Sequence, residues 1–170
     1  MNKMKQTIAL FALAFGLLGS NVVHAEAIAV LNPEKAMFAT QEAVELGQQL
    51  SERLQPQAAR FEQMGQDLRA LQARLETDKD LMTADEVQGL KNQIQNMNVE
   101  LQQLQQYLNN SKLKAEQDFV AQMKPKLDRV LRQVIQENNI SLIINGQSII
   151  YNAPGVDITS KVVELLNLEQ

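Results

Sequence analysis

The chain has 170 residues, with 16 Lys and Arg against 20 Asp and Glu, and a formal net charge of −4. It contains no Cys, and its one His is His24. Beyond residue 25 there is thus no His or Cys, which excludes Ser-His-Asp and Cys-His catalysis and zinc or copper sites built on these side chains. We therefore expect a protein that is not an enzyme and has no catalytic, cofactor or metal site.

Residues 1–25 have the pattern of a secretory signal peptide. Lys3 and Lys5 give a positive start, residues 8–19 are apolar and uncharged, and Val23 and Ala25 occupy the −3 and −1 positions of a cleavage site. We expect cleavage between Ala25 and Glu26. The alternative, a retained membrane anchor, is disfavoured by the short apolar region. Without Lys3 and Lys5 the chain has 14 basic residues against 20 acidic ones, a charge of −6 that argues against nucleic acid as a partner.

A short strand and two long helices follow. The sequence predicts a strand at 27–31 and a helix beginning at Pro33, with Asn32 as its N-cap. The helical pattern continues to about Lys79. Thr83-Ala84-Asp85-Glu86 has the form of a capping box, which predicts a second helix from about Ala84 to Asn138.

The apolar stripes of both helices are narrow, as in a coiled-coil seam, rather than wide, as in a compact bundle. In 90–108 the apolar residues recur at alternating steps of four and three. Because a short turn joins the helices, we expect an antiparallel hairpin. Toward its base the step becomes four, at Leu46-Leu50-Leu54 and Ala115-Phe119-Met123-Leu127, which predicts that the two helices separate or repack there. Gly47, Pro56 and Gly65 are hinge candidates, or are simply tolerated in a long exposed helix.

The C-terminal segment predicts further strands. In 140–152, two runs of β-forming residues flank Asn145-Gly146, a strong hairpin signal. A short helix should follow, with Asp157 as its N-cap. The fold class is thus α+β: a β-rich oligomerisation body of residues 26–45 and 126–170, with three strands per chain closing into an oligomeric barrel, and a helical arm of residues 46–125 with its tip near 79–83. The predicted oligomer core consists of Ile28, Val30, Leu142, Ile144, Ile149 and Tyr151.

Three features together resemble the Skp/OmpH family of periplasmic chaperones: the opening strand at 28–32 leading to Phe38, the long hairpin poor in aromatic residues, and the C-terminal stretch 140–163 with Tyr151-Asn152 and Asp157-Ile158-Thr159. The resemblance implies a periplasmic homotrimer with a central β-barrel. Its helical arms would enclose a cavity for unfolded outer-membrane proteins and would work without ATP. A non-enzymatic coiled-coil spacer or adaptor of the cell envelope is the alternative.

The charge pattern departs from that family, whose arms contact lipopolysaccharide and membrane through basic residues. From Glu76 to Glu100, at the tip, two Lys face six acidic residues. Lipopolysaccharide or membrane contact is therefore not carried over to this chain. Positive charge lies nearer the body instead, and the residues expected to attract acidic clients are Lys112, Lys114, Lys124, Lys126, Arg129 and Arg132.

The hairpin segment 90–110 holds only two charged residues, Lys91 and Glu100, among many Gln and Asn. Neutral amides lose water at a lower cost than charges do, so this segment, with Met37, Met64, Met97 and Met123, is a candidate surface for apolar client segments. The alternative is that the amides form a solvated face and the Met residues fill the seam and core.

Overall fold

The computed structural model describes residues 27–169, so the predicted signal peptide and its cleavage site at Ala25 and Glu26 lie outside the described residues. The elements, in chain order, are β1 (Ala27–Leu31), α1 (Pro33–Phe38), α2 (Gln41–Asp78), α3 (Ala84–Asn138), β2 (Ile140–Asn145) and α4 (Thr159–Leu168). Short 3₁₀ turns lie at Lys79–Leu81 and Gly146–Ser148. Within 27–169, every helix is too short or too polar to cross a bilayer.

The entry into the arm contains a break that the sequence did not predict. As expected, Asn32 caps α1: its side-chain oxygen accepts the backbone N–H of Lys35 at 2.9 Å, and Pro33 is the first helical residue. However, α1 ends at Phe38. Thr40 then starts α2 by accepting the N–H of Ala43 and donating its own hydroxyl to the carbonyl of Met37, at 2.8 Å. The prediction of one uninterrupted helix from Pro33 was therefore wrong, because Thr40 supplies a second N-cap.

At the tip and at the C-terminal end of α3, the arm helices have the predicted limits. The capping box is confirmed: the backbone N–H of Thr83 donates to Glu86, and the N–H of Glu86 donates to the Thr83 hydroxyl. At its other end α3 stops at Asn138, where Asn139 takes a left-handed conformation with φ of 50°. Asn is one of the few residues with a side chain that adopts this conformation readily.

Within residues 27–169 the sheet has two parallel strands. β1 pairs with β2 so that Ile28 is opposite Leu142 and Val30 is opposite Ile144. On its other edge, β1 makes a single bridge to the chain before α4. The N–H of Val30 donates to the carbonyl of Val156, and the N–H of Ile158 donates to the carbonyl of Val30, both at 2.9 Å. β1 is therefore the central element, with β2 and residues 156–158 on its two sides.

The hairpin predicted at Asn145-Gly146 is not formed in the described chain. Gly146–Ser148 is a 3₁₀ turn, and the Asn145 side chain accepts the N–H of Gln147 at 3.0 Å. Residues 149–152 form no strand, and Ile150 and Tyr151 are highly exposed. The Asn side chain here closes a local turn with its own backbone, which competes with a two-residue hairpin.

One hydrophobic core joins α3 to the terminal elements. Met123, Val130 and Val162 are fully enclosed, and the other members are Leu31, Ala36, Met37, Phe119, Leu127, Val134 and Leu166. Phe119 and Met123 precede residue 126, the predicted start of the body on this helix. The packing of the body therefore continues at least two helical turns further into α3 than the predicted boundary.

Candidate functional site: the arm, its root and the open sheet face

The seam between α2 and α3 is shallow. Only Leu54, Met64 and Leu90 are buried in it. The other apolar residues at heptad spacing are half-buried: Phe61, Leu68, Leu71, Leu75, Ile94, Met97, Leu101, Leu104 and Leu108. A two-helix hairpin shields each seam residue from one side only, so partial burial is the expected result. The arm thus leaves apolar surface within reach of other molecules along its length.

One ion pair crosses the middle of the arm. The Arg60 guanidinium on α2 pairs with the Glu100 carboxylate on α3, and both side chains are more than half exposed. Glu100 is the only charged residue between Lys91 and Lys112. The amide-rich stretch of α3 therefore presents almost no uncompensated charge.

We call the end of the arm next to the body its root. There the two helices are less closely packed. A cleft of about 630 Å³ opens between them there, and its lining includes Leu46 and Arg53 from α2 and Tyr107 and Lys114 from α3. A second cleft, of about 430 Å³, lies between Leu50, Leu54 and Leu108. Both clefts lie where the apolar spacing changes to steps of four, the position at which the sequence predicts separation of the helices.

The six basic residues near the root differ in their surroundings. Lys114 pairs with Asp118 at 3.0 Å, and Lys126 pairs with Glu42 at 2.6 Å. Arg129 pairs with Glu169 at 2.7 Å. Within residues 27–169 the other three make no ion pair: Lys112, Lys124 and Arg132. Their charge is therefore the most accessible to an acidic partner.

The hinge candidates all lie inside one helix. α2 runs unbroken from Gln41 to Asp78 through Gly47, Pro56 and Gly65. A Cβ atom at Gly47 would meet open space, so packing does not require Gly there. Next to Pro56, the side-chain oxygen of Gln57 is buried and has no hydrogen-bond partner in the described chain. Bending of α2 at these positions stays a prediction.

The tip is a short acidic turn. Hydrogen bonds from the backbone N–H and the hydroxyl of Thr83 lower the pKa of Glu86, so this carboxylate stays charged. Leu81 is 89% exposed at the end of the 3₁₀ turn. It is the most exposed apolar residue of the arm in the part of the chain that the structure describes.

An apolar face of the sheet is open. Side chains two apart along a strand share a face, so Ile28 and Val30 lie on the same side as their register partners Leu142 and Ile144. Ile28 and Leu142 are about half exposed, whereas Val30 is buried. The core lies against the opposite face, through Leu31 and Ile143. Four of the predicted oligomer-core residues thus share one face of this sheet, whereas Ile149 and Tyr151 lie outside either strand.

Of the four methionines proposed as client contacts, Met37, Met64 and Met123 are buried and Met97 is half-buried in the seam. Since they pack within the chain, the structure favours the alternative that they fill seam and core.

Sequence reasoning missed two features of the root. The rings of Phe38 and Phe119 pack with centroids 5.3 Å apart, and Phe38 remains partly exposed beside a groove. The start of α2 is also held by α4, because the Asn167 side chain accepts the N–H of Gln41 at 2.8 Å. The sequence has only five Phe and two Tyr, and this scarcity was a weak signal that Phe38 and Phe119 are important. No local pattern indicated the contact with Asn167.

Comparisons with known proteins agree with this architecture. The family model described as outer membrane protein (OmpH-like) matches residues 27–166. A Skp-like protein of Pseudomonas aeruginosa is 26% identical over 140 residues, which span 82% of this chain and 83% of that protein. A crystal structure from Caulobacter crescentus, described as an OmpH-like outer membrane chaperone, aligns with a TM-score of 0.61 and 17% identity over 85% of this chain and 86% of that one.

A long helical hairpin on a small mixed body is an α+β fold of the OmpH-like kind. The chain belongs to the Skp/OmpH family. The resemblance noted in the sequence is therefore confirmed, and family membership supports a chaperone role for this protein.

Proposed function

We propose that the protein is an ATP-independent holdase of the periplasm, which binds unfolded outer-membrane proteins between its helical arms and prevents their aggregation. Export by a signal peptide at residues 1–25 is part of this proposal. The relatives' descriptions as Skp-like and as an outer membrane chaperone support the client class.

The observation that carries the proposal is the shape of the arm and the shallowness of its seam. From Phe119, at the edge of the core, to Ala84, α3 extends for about 50 Å at ~1.5 Å per residue. Along this length the seam buries few residues, and Val99, Tyr107 and Leu113 are about half exposed. A long surface with scattered apolar side chains suits many weak contacts with an unfolded chain rather than one folded partner.

The open sheet face supports assembly through a body of residues 26–45 and 126–170. That the assembly is a homotrimer is what the family resemblance implies. Ile28 and Leu142 leave apolar area exposed, and one edge of β2 has no partner among residues 27–169. Residues 149–152, with exposed Ile150 and Tyr151, have strand-forming side chains but pair with no strand in the described part of the chain. Pairing these segments between subunits would supply the third strand and close the barrel, because unpaired strand edges favour addition of another chain.

The test is a dilution experiment. An outer-membrane β-barrel protein unfolded in urea is diluted into buffer with or without the purified protein, and aggregation is followed by light scattering. We expect suppression near one oligomer per client, with no ATP added. Unchanged scattering at a severalfold excess of the protein would contradict the proposal.

The exposed Leu81 favours one second candidate, an envelope adaptor that docks through the tip of its arm. Leu81→Gln separates the two functions. A holdase that uses the length of the arm keeps its activity in this variant, whereas an adaptor loses its partner. A wild type that does not suppress aggregation, together with loss of an envelope partner in Leu81→Gln, would favour the adaptor.

A further inference from the structure

One stretch of α3 is almost free of charge, and the helix beside it is not. Residues 92–111 contain one charged residue, Glu100, and it is paired with Arg60. The α2 stretch across the seam, residues 50–69, contains six: Glu52, Arg53, Arg60, Glu62, Asp67 and Arg69. Lack of charge is therefore a property of one helix and not of the arm as a whole.

The uncharged surface has a regular geometry. Exposed side chains recur along α3 at steps of four, four, three, four and three, which places them on one face of the helix. They are Gln95, Val99, Gln103, Gln106, Asn110 and Leu113, and we call them the amide strip. The half-buried seam residues of the same stretch, such as Met97, Leu101 and Leu108, lie on the other side of the helix.

Helix stability does not explain these amides. Of the eleven Asn and Gln residues in 92–111, only Asn92 and Asn98 make a side-chain hydrogen bond within residues 27–169. Asn is also a weaker helix former than the Glu and Lys that usually cover exposed helices. The strip therefore keeps side-chain donors and acceptors that face solvent, and at Asn110 a charged residue would support the helix better.

The amide strip leads into an apolar groove near the body. Leu113, its last member, lines this groove of about 540 Å³ together with Phe38, Val120 and Ala121. The polar residues that line the same groove are Glu34, Glu116, Gln117 and Lys124. A molecule lying along the strip would thus reach an apolar recess next to the Phe38 and Phe119 rings.

We propose that the amide strip and this groove form the contact surface for an extended segment of low charge in the unfolded client. The inference rests on the proposed holdase function and names where on the arm the client is held. Side-chain amides carry both donors and acceptors, as peptide groups do, so they can pair with an extended backbone of any sequence. From Gln95 to Leu113 the strip is about 27 Å long, which matches roughly eight residues of extended chain.

The absence of charge fits such an occupant. Neutral amides lose their water at a lower cost than ionised side chains, so a weakly charged segment can lie on them without leaving a charge desolvated. Contact of this kind should persist at high salt, because it does not depend on Coulomb attraction. Of the six basic residues at the root of the arm, only Lys124 also lines the groove, so contact along the strip itself does not involve them.

The test changes the charge of the strip in both directions. One variant combines Gln95→Glu, Gln103→Glu and Gln106→Glu, and a second combines Gln95→Lys, Gln103→Lys and Gln106→Lys. Gln, Glu and Lys have similar helix propensities, so both variants keep α3. Matched controls place the same residues at the exposed Gln48, Gln66 and Gln72 of α2. The probe is a fluorescently labelled, urea-unfolded outer-membrane β-barrel protein, and the readout is the lifetime of its complex at high salt.

We expect both strip variants to shorten the lifetime at least ~10-fold, which corresponds to about 1.4 kcal/mol, while both controls stay within about twofold of wild type. If the Glu and Lys variants change the lifetime of the complex in opposite directions, charge attraction alone explains the result and the inference is overturned. Equal losses in strip and control variants, or no loss in any variant, would overturn it as well. If wild-type protein fails to hold the client at all, the proposed function itself falls, so the two failures are distinguishable.

Discussion

Arg60 and Glu100 form the only ion pair that joins α2 to α3 midway along the arm in residues 27–169. Both side chains are more than half exposed, so water and salt screen their attraction. Because Glu100 lies in an otherwise uncharged stretch of α3, we expect the pair to fix the register of α2 against α3 more than to stabilise the arm.

We therefore predict a small energetic effect for this pair. A double-mutant cycle with Arg60→Ala and Glu100→Gln should give a coupling free energy of about 0.2–1 kcal/mol at low salt and close to zero at high salt. Urea unfolding followed by circular dichroism measures it. A coupling that exceeds this range and persists at high salt would mean that the pair is more shielded from water than the structure indicates.

Phe119 should be far more important for stability than its partner Phe38. Phe119 is 2% exposed in the core, whereas Phe38 is 39% exposed. Phe119→Ala should cost about 3–5 kcal/mol in the free energy of unfolding, because it removes a buried ring and leaves a cavity. Phe38→Ala serves as the control and should cost clearly less. Similar losses for the two variants in urea unfolding would contradict the packing described for the root.

Leu142→Glu should separate assembly from folding of the single chain. Leu142 is half exposed on the open sheet face, so a charge there leaves the core around Val130 intact but would be buried between subunits. We expect analytical ultracentrifugation to show a smaller species than wild type. Val99→Glu, on a half-exposed residue of the arm, should assemble normally. Wild-type sedimentation of Leu142→Glu would exclude this face from the interface.

The extent of the core determines where the arm can be deleted without unfolding the body. Joining Glu45 to Lys126 would remove Phe119 and Met123 from the core, so that shortened chain should be unstable. Leu54 and Leu108 line one cleft on opposite helices, so a short turn between them keeps the core and removes most of the arm. We expect this second deletion to assemble as the wild type does. Sedimentation as a monomer would mean that the arms take part in assembly.

Asp157 should make folding sensitive to acid. Hydrogen bonds from the Thr159 hydroxyl and backbone N–H lower the pKa of Asp157 in the folded protein, and the N–H to carboxylate distance is 2.8 Å. A lowered folded pKa means that the stabilisation is complete above the unfolded pKa of about 3.9 and is lost as the pH falls through the folded value.

Asp157→Asn should therefore lower stability at neutral pH and differ less from wild type in acid. Asp128→Asn, on an exposed residue of α3, is the control. Unfolding curves at several pH values measure the difference. A constant difference between Asp157→Asn and wild type at all pH values would show that the carboxylate charge is not responsible.

Capture of acidic clients should depend on the basic residues that are not already paired. Lys112, Lys124 and Arg132 make no ion pair in the described chain, so their reversal to Glu should slow association several-fold at low salt and little at high salt. Replacing two acidic residues of the tip, by Asp80→Asn and Asp85→Asn, should leave the association rate equal or higher. Stopped-flow fluorescence measures both. Equal association rates for the reversed variant and wild type at low salt would exclude this attraction.

The parts of the fold that depend on neighbouring residues were predictable from sequence. Pro33 after Asn32, and Thr83 with Glu86, set helix starts through contacts three residues apart, and the structure has these caps. The break at Thr40 was missed because the apolar pattern of the two helices runs through it. A capping Thr inside a longer helical pattern gives no stronger signal than any other Thr.

The sheet was less predictable because its pairing joins distant segments. β1 lies between β2, more than 100 residues away, and the bridge at Val156 and Ile158. The Asn145-Gly146 signal predicted a hairpin, but the Asn145 side chain forms a local turn, and residues 149–152 have no strand partner within the described residues. For the arm, the sequence already showed that residues 90–110 carry few charges. The placement of this weakly charged surface on the exposed face of α3, next to a groove containing Phe38, required the structure.

The most direct test of the account compares aggregation suppression by the wild type and by the variant in which Leu54 is joined to Leu108. Both are mixed with a urea-diluted outer-membrane β-barrel protein at equal subunit concentration, and light scattering is recorded. We predict that the wild type keeps the client soluble and that the shortened protein, assembled to the same oligomer, does not. Equal protection by the two proteins would contradict the claim that the arm holds the client.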